Sequence, residues 1–360
     1  DCRPLHFAGE RIGLTICADI WWESYPDRPS SHGRDPVSEQ TAAGATLMIS
    51  PSASPYAIGK PALRSAQLAR VASTSGCPTL YVNMVGGNDG LVFDGHSMAC
   101  ATDGRLIHFS PGFREDVSVI DTCSKASAEL PSDNYAEVES AIGVGLRDYL
   151  AKTGHERVCL AISGGIDSAV VAAVAARQLG PDRVTGFALP SRFSSDGSRN
   201  DSQSLAQSLG INLHLLSIEP AFEAYLQTLS PVFGNCPPDT AEENLQARIR
   251  GTLVMAFANK TGALALATGN KSELATGYAT LYGDMAGAMA PIGDLWKTQV
   301  YALARRINEN GAVIPSATLT KAPSAELSPN QLDSDSLPPY DVLDSILQRY
   351  VEQNASIEQI

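Results

Sequence analysis

Positive charge, aromatic side chains and paired cysteines are all scarce in this sequence. Of its 360 residues, 18% are charged and 6% aromatic, and 39 Asp and Glu outnumber 26 Lys and Arg. The net charge of −13 disfavours non-specific binding to nucleic acid or to an anionic membrane, because both carry negative charge. An anionic substrate would therefore need local help from positive side chains, loop amides or a metal ion.

Cysteine spacing and the lengths of the hydrophobic runs exclude further classes. The seven cysteines are scattered, odd in number and never spaced as CxxC, which argues against a disulfide framework or a zinc knuckle and favours a reducing cytoplasm. No apolar run is long enough to span a bilayer, and no basic and apolar signal peptide opens the chain. Because the chain starts at Asp1 without Met and soon enters a strand, we expect its start to be a fragment boundary.

The length and the composition predict two domains, since one hydrophobic core rarely holds 360 residues. Residues 123–134 (CSKASAELPSDN) have linker composition and separate residues 1–122 from residues 135–360. In the first part we predict one helix and four strands, at 61–75 and at 11–17, 45–50, 79–83 and 97–102. In the second part, continuously apolar strands (VCLAI, VTGFALP, INLHLLSI and ALALAT) alternate with helices, such as those predicted at 135–152, around 201–209 and at 240–260. That alternation predicts an α/β fold with a doubly wound, mostly parallel sheet.

A glycine-rich loop, SGGIDS at residues 163–168, lies between the VCLAI strand and an apolar helix. Two glycines allow the backbone to approach a ligand closely. The loop amides and the helix N-terminus together form an anion site, to which Ser163 and Ser168 can add hydroxyl donors. A carboxylate at Asp167 beside bound phosphate is repulsive unless a cation lies between them, which indicates Mg²⁺. Two glycines alone would indicate only a tight turn. The SGGIDS segment is not a Walker A loop, because it lacks the GK[ST] sequence of that motif.

The whole string resembles the SGGxDS loop of the ATP-pyrophosphatase superfamily, whose members adenylate a substrate oxygen and release pyrophosphate. Downstream, ENLQARIR at 243–250 and TGNKSELATGYATLYGDMAGAMAPIGDLWKTQV at 268–300 resemble the NAD synthetases, as does the closing loop from Lys321 onward. The resemblance implies an ATP site made of Ala161, Ile162, Ser163, Gly164, Gly165, Ile166, Asp167, Ser168, Arg192 and Thr268.

The same resemblance implies a site for deamido-NAD and a magnesium site. The residues implied for deamido-NAD are Asn244, Arg248, Arg250, Glu273, Tyr278, Asp284 and Lys297. Glu273 would complete the magnesium site with Asp167, although a Glu at a helix start is more often a capping residue. Asn244 and Arg248 share one face of their helix, and by themselves the polar residues of that helix could be only a solvated face. A cationic Lys297 could stabilise phosphoryl charge during transfer.

Near the start, a cysteine follows an apolar strand in GLTICADIW. A lone Cys there is usually a small core residue, but the segment resembles the nitrilase-type glutaminase domain of glutamine-dependent NAD synthetase. By that resemblance Cys17 is the nucleophile that attacks the glutamine amide, and Ser54 and Lys60 of SPYAIGK hold glutamine. Ala18 departs from the Glu that usually follows the nucleophile. The Glu and Lys of the family triad would precede Asp1, and the family's extension after the last helix is also missing. We therefore expect a chain truncated at both ends, with little glutaminase activity.

These observations predict an enzyme that amidates deamido-NAD to NAD through an adenylate, with ATP as substrate and Mg²⁺ as cofactor. The nitrogen would come from glutamine or ammonia. Two alternatives remain open: another amidating ATP-pyrophosphatase, such as a GMP or asparagine synthetase, and a nucleotide-binding fragment without turnover. We expect a cytoplasmic homo-oligomer that binds neither nucleic acid nor membrane.

Overall fold

The computed structural model describes residues 3–21, 34–132, 134–309 and 311–360. They form two compact units, which divide between Tyr149 and Leu150. Among these residues, none of the helices combines the length and the apolar character that crossing a bilayer requires. The two units are described separately below.

The first unit is built on a mixed β-sheet. Its strands are β1 (Leu5–Phe7), β2 (Glu10–Leu14), β3 (Leu47–Ser52), β4 (Thr79–Asn83), β5 (Val85–Asn88), β6 (Leu91–Asp94), β7 (Met98–Cys100) and β8 (Leu106–Phe109). Within the described residues, six strands form one sheet in the order β1-β2-β3-β4-β7-β8, and β5 pairs with β6 as a separate antiparallel ribbon. The central pairs β2–β3 and β3–β4 are parallel, so the carboxyl ends of these three strands lie at one edge of the sheet.

Helices cover this sheet and bury its apolar side chains. They are α1 (Pro36–Ala42) and α2 (Lys60–Ser75), and a 3-10 helix spans Cys17–Trp21. Helix α3 (Asn134–Thr153) begins in this unit and continues past Tyr149, where the two units divide. Leu68 and Val71 of α2 pack in one core with Met48, Tyr81 and Met98 of the sheet. Helix α2 ends at Gly76, which has a left-handed φ of 66°, the usual role of glycine after a helix.

A fully buried ion pair joins α2 to the end of β6. Both side chains of the Arg64–Asp94 pair are 0% exposed, with Nη1 of Arg64 2.7 Å from the carboxylate. The guanidinium also donates to the backbone carbonyls of Ser54 and Pro55, at 2.9 and 3.1 Å. Asn83 donates to the same Asp94 carboxylate and to the Ser54 carbonyl. The network thus holds the segment that follows β3 from two sides, and its charges are compensated as burial requires.

His96 forms a second buried contact, in the connection between β6 and β7. Its Nε2 lies 2.7 Å from Glu137 of α3 and its Nδ1 lies 3.2 Å from the Ser110 carbonyl. The imidazole stacks on Phe109 and meets the edge of Phe113. Burial lowers the pKa of His96, but the hydrogen bonds and the charges of Glu137 and Asp94 outweigh burial and raise the pKa above its ordinary value.

This contact makes the stability of the first unit depend on pH. Because the pKa of His96 is raised on folding, its contribution is fully present below about pH 6.5, the ordinary pKa of histidine, and disappears as the pH rises through the folded value. We expect His96→Gln, whose amide does not titrate here, to remove that part of the pH dependence. The measurement is urea denaturation between pH 5 and 9, with His6→Gln, an exposed histidine on β1 of the same unit, as control. Equal pH dependence in wild type and His96→Gln would contradict the assignment.

The second unit contains a parallel sheet. Its strands are β9 (Val158–Ala161), β10 (Val184–Ala188), β11 (Asn212–Leu215) and β12 (Leu264–Ala265). In the described part of the unit, four strands lie in the order β11-β10-β9-β12, and each pairing is parallel. The chain therefore reverses the direction of its winding at β9, the central strand. In such sheets ligands bind outside the carboxyl ends of the strands at this switch point.

Helices connect and cover these strands. They are α4 (Ile166–Leu179), α5 (Asp196–Leu209), α6 (Glu219–Phe233), α7 (Thr240–Thr261), α8 (Lys271–Thr276), α9 (Lys297–Asn308), α10 (Ser316–Thr320) and α11 (Tyr340–Leu347). Almost every side chain of α4 is buried, as expected for a helix that is apolar on all sides. Helix α7 begins with a capping box between Asp239 and Glu242, which satisfies two of its first amides.

Candidate active site

A cavity of about 260 Å³ opens at the carboxyl ends of the parallel strands in the second unit. The loop between β9 and α4 forms its floor, and residues after β10 and β12 line its sides. The first turns of α8 and α9 contribute Glu273 and Lys297, and residues 321–327 line another wall. A cavity with both apolar walls and convergent charges at this point of the fold is the default candidate for a substrate site.

The predicted phosphate loop has the conformation that its glycines require. Gly164 has a left-handed φ of 82°, and a Cβ atom there would lie 2.5 Å from the carbonyl oxygen of Ser198 on α5. Ser168 accepts a hydrogen bond from the Ser163 amide and donates to the Gly165 carbonyl, at 3.2 and 3.1 Å. Helix α4 starts at Ile166 directly after this loop. Its first-turn amides lack helical acceptors and face the cavity end of the sheet, which makes an anion site.

Asp167 and Glu273 converge on one lysine. Lys297 Nζ lies 2.5 Å from Asp167 Oδ2 and 3.0 Å from Glu273 Oε1. The sequence predicted that these two carboxylates share a site, and the structure brings them together from the starts of α4 and α8. Lys297, predicted to bind the substrate, lines the cavity and also compensates the two carboxylates; its role in substrate binding stays a prediction. The ammonium also lies 5.2 Å from the centre of the Tyr340 ring.

Burial and mutual repulsion determine the protonation of this group. Burial and the charge of Asp167 raise the pKa of Glu273 to about 7, although Lys297 opposes the shift. Burial lowers the pKa of Lys297, but the two carboxylates outweigh it and hold that pKa well above its ordinary value. Lys297 is therefore cationic at neutral pH, and the two carboxylates still carry more negative charge than one ammonium balances. A second cation would stabilise the ionised form of Glu273.

Asn270, which the sequence analysis missed, holds both carboxylates. Its side chain donates to Asp167 Oδ1 at 2.9 Å and accepts from the Glu273 amide at 3.0 Å. Its own amide donates to Glu273 Oε2 at 3.2 Å, which completes a capping box at the start of α8. The capping interpretation of Glu273 is therefore confirmed. Because capping uses Oε2 and the Lys297 contact uses Oε1, capping is compatible with the predicted site role, which stays a prediction. The N-cap position before the predicted helix was the available signal for Asn270.

The donor set is chemically suited to a divalent ion. Two carboxylates at the mouth of a phosphate loop are the ligands that Mg²⁺ combines with nucleotide oxygens. No group of three His, Cys, Asp or Glu side chains suited to a metal occurs at the positions that the structure describes, so a protein-only metal cage is not formed there. Further ligands would have to come from substrate and water, which is the usual arrangement for Mg²⁺ at nucleotide sites.

Most of the other residues predicted for this site line the cavity. Those that do are Ala161, Ile162, Ser163, Gly165, Ile166, Ser168, Arg250, Thr268, Tyr278 and Asp284. Arg250 donates to the Leu189 carbonyl at 2.9 Å, and burial lowers its pKa to about 10. Asp284 accepts from the Thr280 amide at 2.8 Å, and burial raises its pKa.

Four predicted residues lie outside the cavity lining: Gly164 of the phosphate loop, described above, and Arg192, Arg248 and Asn244. Arg192 pairs with Glu219 and Glu223 of α6. Arg248 donates to the Leu281 carbonyl at 3.2 Å, and Asn244 accepts from the Thr280 hydroxyl at 2.6 Å. The Thr280 amide donates to Asp284, which lines the cavity. Thr280 therefore connects Asn244 to a lining residue. Their roles in binding remain predictions.

The segment 321–327, which the sequence analysis identified as a closing loop, is tied to the N-terminus of α5. Lys321 Nζ lies 2.6 Å from Glu326 Oε1 and also contacts the Ser198 hydroxyl. Glu326 accepts from the hydroxyls of Ser195 and Ser198, at 2.9 and 2.8 Å. Burial raises the pKa of Glu326, but these hydrogen bonds outweigh burial and lower it. The segment is thus fixed beside the loop that contains Gly164.

In the first unit, Cys17 begins the 3-10 helix after β2 and has a left-handed φ of 46°. Asp19 closes this turn by accepting from the Ile16 amide at 2.8 Å. Such a conformation is costly for a residue other than glycine and is often retained at functional sites. Burial raises the pKa of the nearby Tyr81, which interacts with both Cys17 and Ser54. The ammonium of Lys60, at the start of α2, lies 5.4 Å from the centre of the Trp21 ring.

Comparison with known proteins identifies two sequence families along the chain. The NAD synthase profile matches residues 138–360, and the carbon-nitrogen hydrolase profile matches residues 4–129. A glutamine-dependent NAD(+) synthetase from Synechocystis is 46% identical over 97% of this chain. One from Xanthomonas campestris is 44% identical over 98%. The chain spans 64% of the length of each of these curated relatives.

Solved structures agree with these matches. The glutamine-dependent NAD+ synthetase from Acinetobacter baumannii, in complex with ADP, superposes with a TM-score of 0.81 and 36% identity. The comparison covers 98% of this chain and 64% of that one. An NMN synthetase from Francisella tularensis aligns with 63% of this chain and 90% of its own, at a TM-score of 0.56 and 29% identity. These matches confirm the α/β fold class, the nitrilase-like first part and the resemblance found in the sequence.

Proposed function

The chain belongs to the NAD synthase family, and on that premise we propose that it amidates deamido-NAD to NAD with ATP, releasing AMP and pyrophosphate. The nitrogen comes from ammonia, supplied as such or by glutamine hydrolysis. The observation that supports this proposal most directly is the pairing of Asp167 and Glu273 around Lys297 at the phosphate loop. The identities of 44–46% to the two glutamine-dependent synthetases support the choice of substrate.

The reaction has two steps, and the chain provides groups for both. An oxygen of the nicotinate carboxylate attacks the α-phosphorus of ATP, the bond from that phosphorus to the β-phosphoryl oxygen breaks, and pyrophosphate leaves. Ammonia then attacks the acyl carbon, the bond to AMP breaks, and the nitrogen loses a proton. The loop amides around Gly164 and Gly165 hold the phosphates, and the buried cation of Lys297 stabilises charge on them.

We propose Mg²⁺ as the cofactor of the first step, held by Asp167 and Glu273. When bound, it neutralises charge on the phosphoryl oxygens and on the leaving pyrophosphate. Asn270 keeps one oxygen of each carboxylate tethered and so orients the others toward the cavity. Segment 321–327 lines the cavity beside the loop, where it limits access of water to the adenylate.

For the first unit we propose a glutaminase role, with Cys17 as the nucleophile. Its sulfur would attack the glutamine amide carbon, and ammonia would leave as the thioester forms; water then releases glutamate. Two observations support this role: the match to carbon-nitrogen hydrolases over residues 4–129 and the left-handed backbone at Cys17. Ser54 and Lys60 are proposed to hold the substrate.

The individual site residues, the domain boundary, the cellular location and the oligomeric state are also proposed here. The site residues, including Arg192, Asn244 and Arg248, are proposed from their match to the family. The boundary at residues 123–134 between the two functional domains is proposed as well, as are a cytoplasmic location and a homo-oligomeric state. The similarity to an NMN synthetase makes nicotinate mononucleotide the competing substrate to test.

The substrate assay separates these possibilities. With ATP, Mg²⁺ and ammonium, we expect NAD to form from deamido-NAD, with one pyrophosphate and one AMP released for each NAD. Nicotinate mononucleotide, xanthosine monophosphate and aspartate serve as competing acceptors, and glutamine replaces ammonium in a parallel series. The products are measured by chromatography and by a coupled pyrophosphate assay. Faster turnover of any competing acceptor, or no turnover of any, would contradict the proposed function.

A further inference from the structure

We infer that Asp344 of α11 is a positioning residue, which fixes the first turns of α8 and α9 so that Glu273 and Lys297 meet at the cavity. The inference rests on the proposed function for its activity readout. Asp344 lies outside the cavity lining, and its hydrogen bonds go to Ser272 and Thr298 rather than to Asp167 or Glu273. It acts through Ser272 and Thr298, each of which is the chain neighbour of a site residue.

Asp344 uses both of its oxygens, and its side chain is almost completely enclosed. The residue is 2% exposed. Its Oδ1 accepts from the Ser272 hydroxyl at 2.5 Å, and its Oδ2 accepts from the amide and the hydroxyl of Thr298, at 2.8 and 2.7 Å. An ionised carboxylate that accepts several hydrogen bonds makes stronger bonds than a neutral group would. The three contacts connect α11 to two other helices.

Ser272 extends this connection to the backbone of Lys297. Its hydroxyl donates to Asp344 and accepts from the Lys297 amide at 2.8 Å. Ser272 therefore bridges α8 to α9 directly, with its hydroxyl orientation set by the carboxylate. Because Glu273 follows Ser272 and Thr298 follows Lys297, the bridge acts one residue away from each member of the ion pair.

Helix α9 needs this external support because its own N-cap cannot provide a side-chain acceptor. The N-cap residue is Trp296, which makes no side-chain capping bond to the helix; its indole nitrogen donates to Glu352 instead. Ser272 and Asp344 accept from the first two amides of the helix, at Lys297 and Thr298. A negative charge at this end also interacts favourably with the helix dipole. The start of α9 is thus positioned by residues from other helices.

The consequence for the site is geometric. Lys297 Nζ contacts both carboxylates within 3.0 Å, so a shift of α9 relative to α8 would separate the charges that face the phosphate loop. A displacement of about 1 Å at a reacting group can cost about 100-fold in rate. Loss of Asp344 should therefore lower the rate of adenylation much more than it lowers affinity for the nucleotide itself.

The test compares Asp344→Asn and Ser272→Ala with a control at the other end of α9. Asn308 makes a similar number of hydrogen bonds there, donating to the Ile314 carbonyl and accepting from the amides of Val313 and Ile314. The variant Asn308→Ala therefore shows how the loss of such hydrogen bonds changes the stability of α9 without a change near the cavity. Ser272→Ala removes one hydroxyl and keeps the bridge residue small, so it remains informative if Asp344→Asn does not fold.

Two measurements are made on the full chain. The first is ammonium-dependent kcat, with KM for ATP and the thermal midpoint. The second is the dissociation constant of ATP with and without Mg²⁺, by calorimetry. For Asp344→Asn and Ser272→Ala we expect kcat to fall about 10- to 100-fold and the effect of Mg²⁺ on ATP affinity to shrink about tenfold. KM for ATP should change about twofold or less, and Asn308→Ala should change the thermal midpoint alone.

The outcomes separate this inference from the proposed function. If wild type makes no NAD but binds ATP more tightly with Mg²⁺, the proposed function fails and the calorimetric comparison still tests Asp344. If Asp344→Asn and Ser272→Ala behave like Asn308→Ala in both measurements, the residue only stabilises the fold and the inference is overturned. Equal losses in kcat and in metal-free ATP affinity would also overturn it, because they would indicate a general collapse of the cavity.

Discussion

Replacing Asp167 by Asn is expected to lower the rate of pyrophosphate release by about 1,000-fold. The amide keeps the shape of the carboxylate and its contact with Asn270, but it removes one of the two anionic groups that face the phosphate loop. Loss of one preorganised electrostatic contact to a reacting group commonly costs about 100- to 1,000-fold in kcat, and here the proposed metal site would lose one of its two carboxylates as well. Lys297 would then pair with Glu273 alone, without the second carboxylate.

A matched control exists in the same unit. Asp182 is exposed, on the short 3-10 helix before β10, and Asp182→Asn should leave the rate unchanged. Both variants should keep a wild-type thermal midpoint to within a few degrees, since Asp167 lies at the cavity. Undiminished ATP consumption in Asp167→Asn would show that the carboxylate pair does not support adenylation, and the proposed function would then lose its main observation.

Replacing Arg64 by Met is expected to destabilise the first unit by about 3–5 kcal/mol. The substitution removes one partner of an ion pair in which both side chains are 0% exposed, and it leaves Asp94 charged and buried. Breaking a buried pair in this way typically costs about that much, because the remaining charge has no compensation. The carbonyls of Ser54 and Pro55 also lose their bonds from Arg64, although Asn83 still donates to the Ser54 carbonyl, so the segment that contains Ser54 should become more mobile.

The control is a pair of similar chemistry at the surface of the same unit. Arg105 and Asp103 form an ion pair whose side chains are 31% and 61% exposed, and exposed pairs contribute about 0–1 kcal/mol. Hydrogen exchange in increasing denaturant, read by mass spectrometry, distinguishes the first unit from the second. The double variant Arg64→Met with Asp94→Leu should recover part of the loss. Similar losses in Arg64→Met and Arg105→Met would contradict our account of the buried network.

Much of the fold could be predicted from the sequence because its patterns are strong. Strand β4 lies at the predicted residues 79–83, and α7 begins at the predicted residue 240. In contrast, α5 begins at Asp196 rather than 201, since Ser195 caps it and the polar residues between them hid its start. Helices α6 and α9 were not predicted. The helical pattern of α6 is weakened by Pro220 and Pro231, and α9 has only a short apolar stripe.

The site was predictable to the extent that its residues are close in sequence or match a family motif. The loop at 163–168 and Glu273 came from such motifs. The contact of Lys297 with both carboxylates depends on how α4, α8 and α9 pack, and no local pattern encodes that packing. Asp344 is 72 residues from Ser272, so their hydrogen bond could only be found once the helices were placed.

The way Asn270 holds the two carboxylates bears on discrimination between divalent ions. One oxygen of Asp167 and one of Glu273 are engaged by the Asn270 side chain and amide, and the other oxygen of each acid accepts from Lys297. Calcium frequently takes both oxygens of a carboxylate, whereas the smaller magnesium ion keeps a six-fold shell largely of water and phosphate oxygens. At the proposed metal site, binding the larger ion through both oxygens of one carboxylate would require the Asn270 hydrogen bonds to break, so we expect Asn270 to favour the smaller ion there.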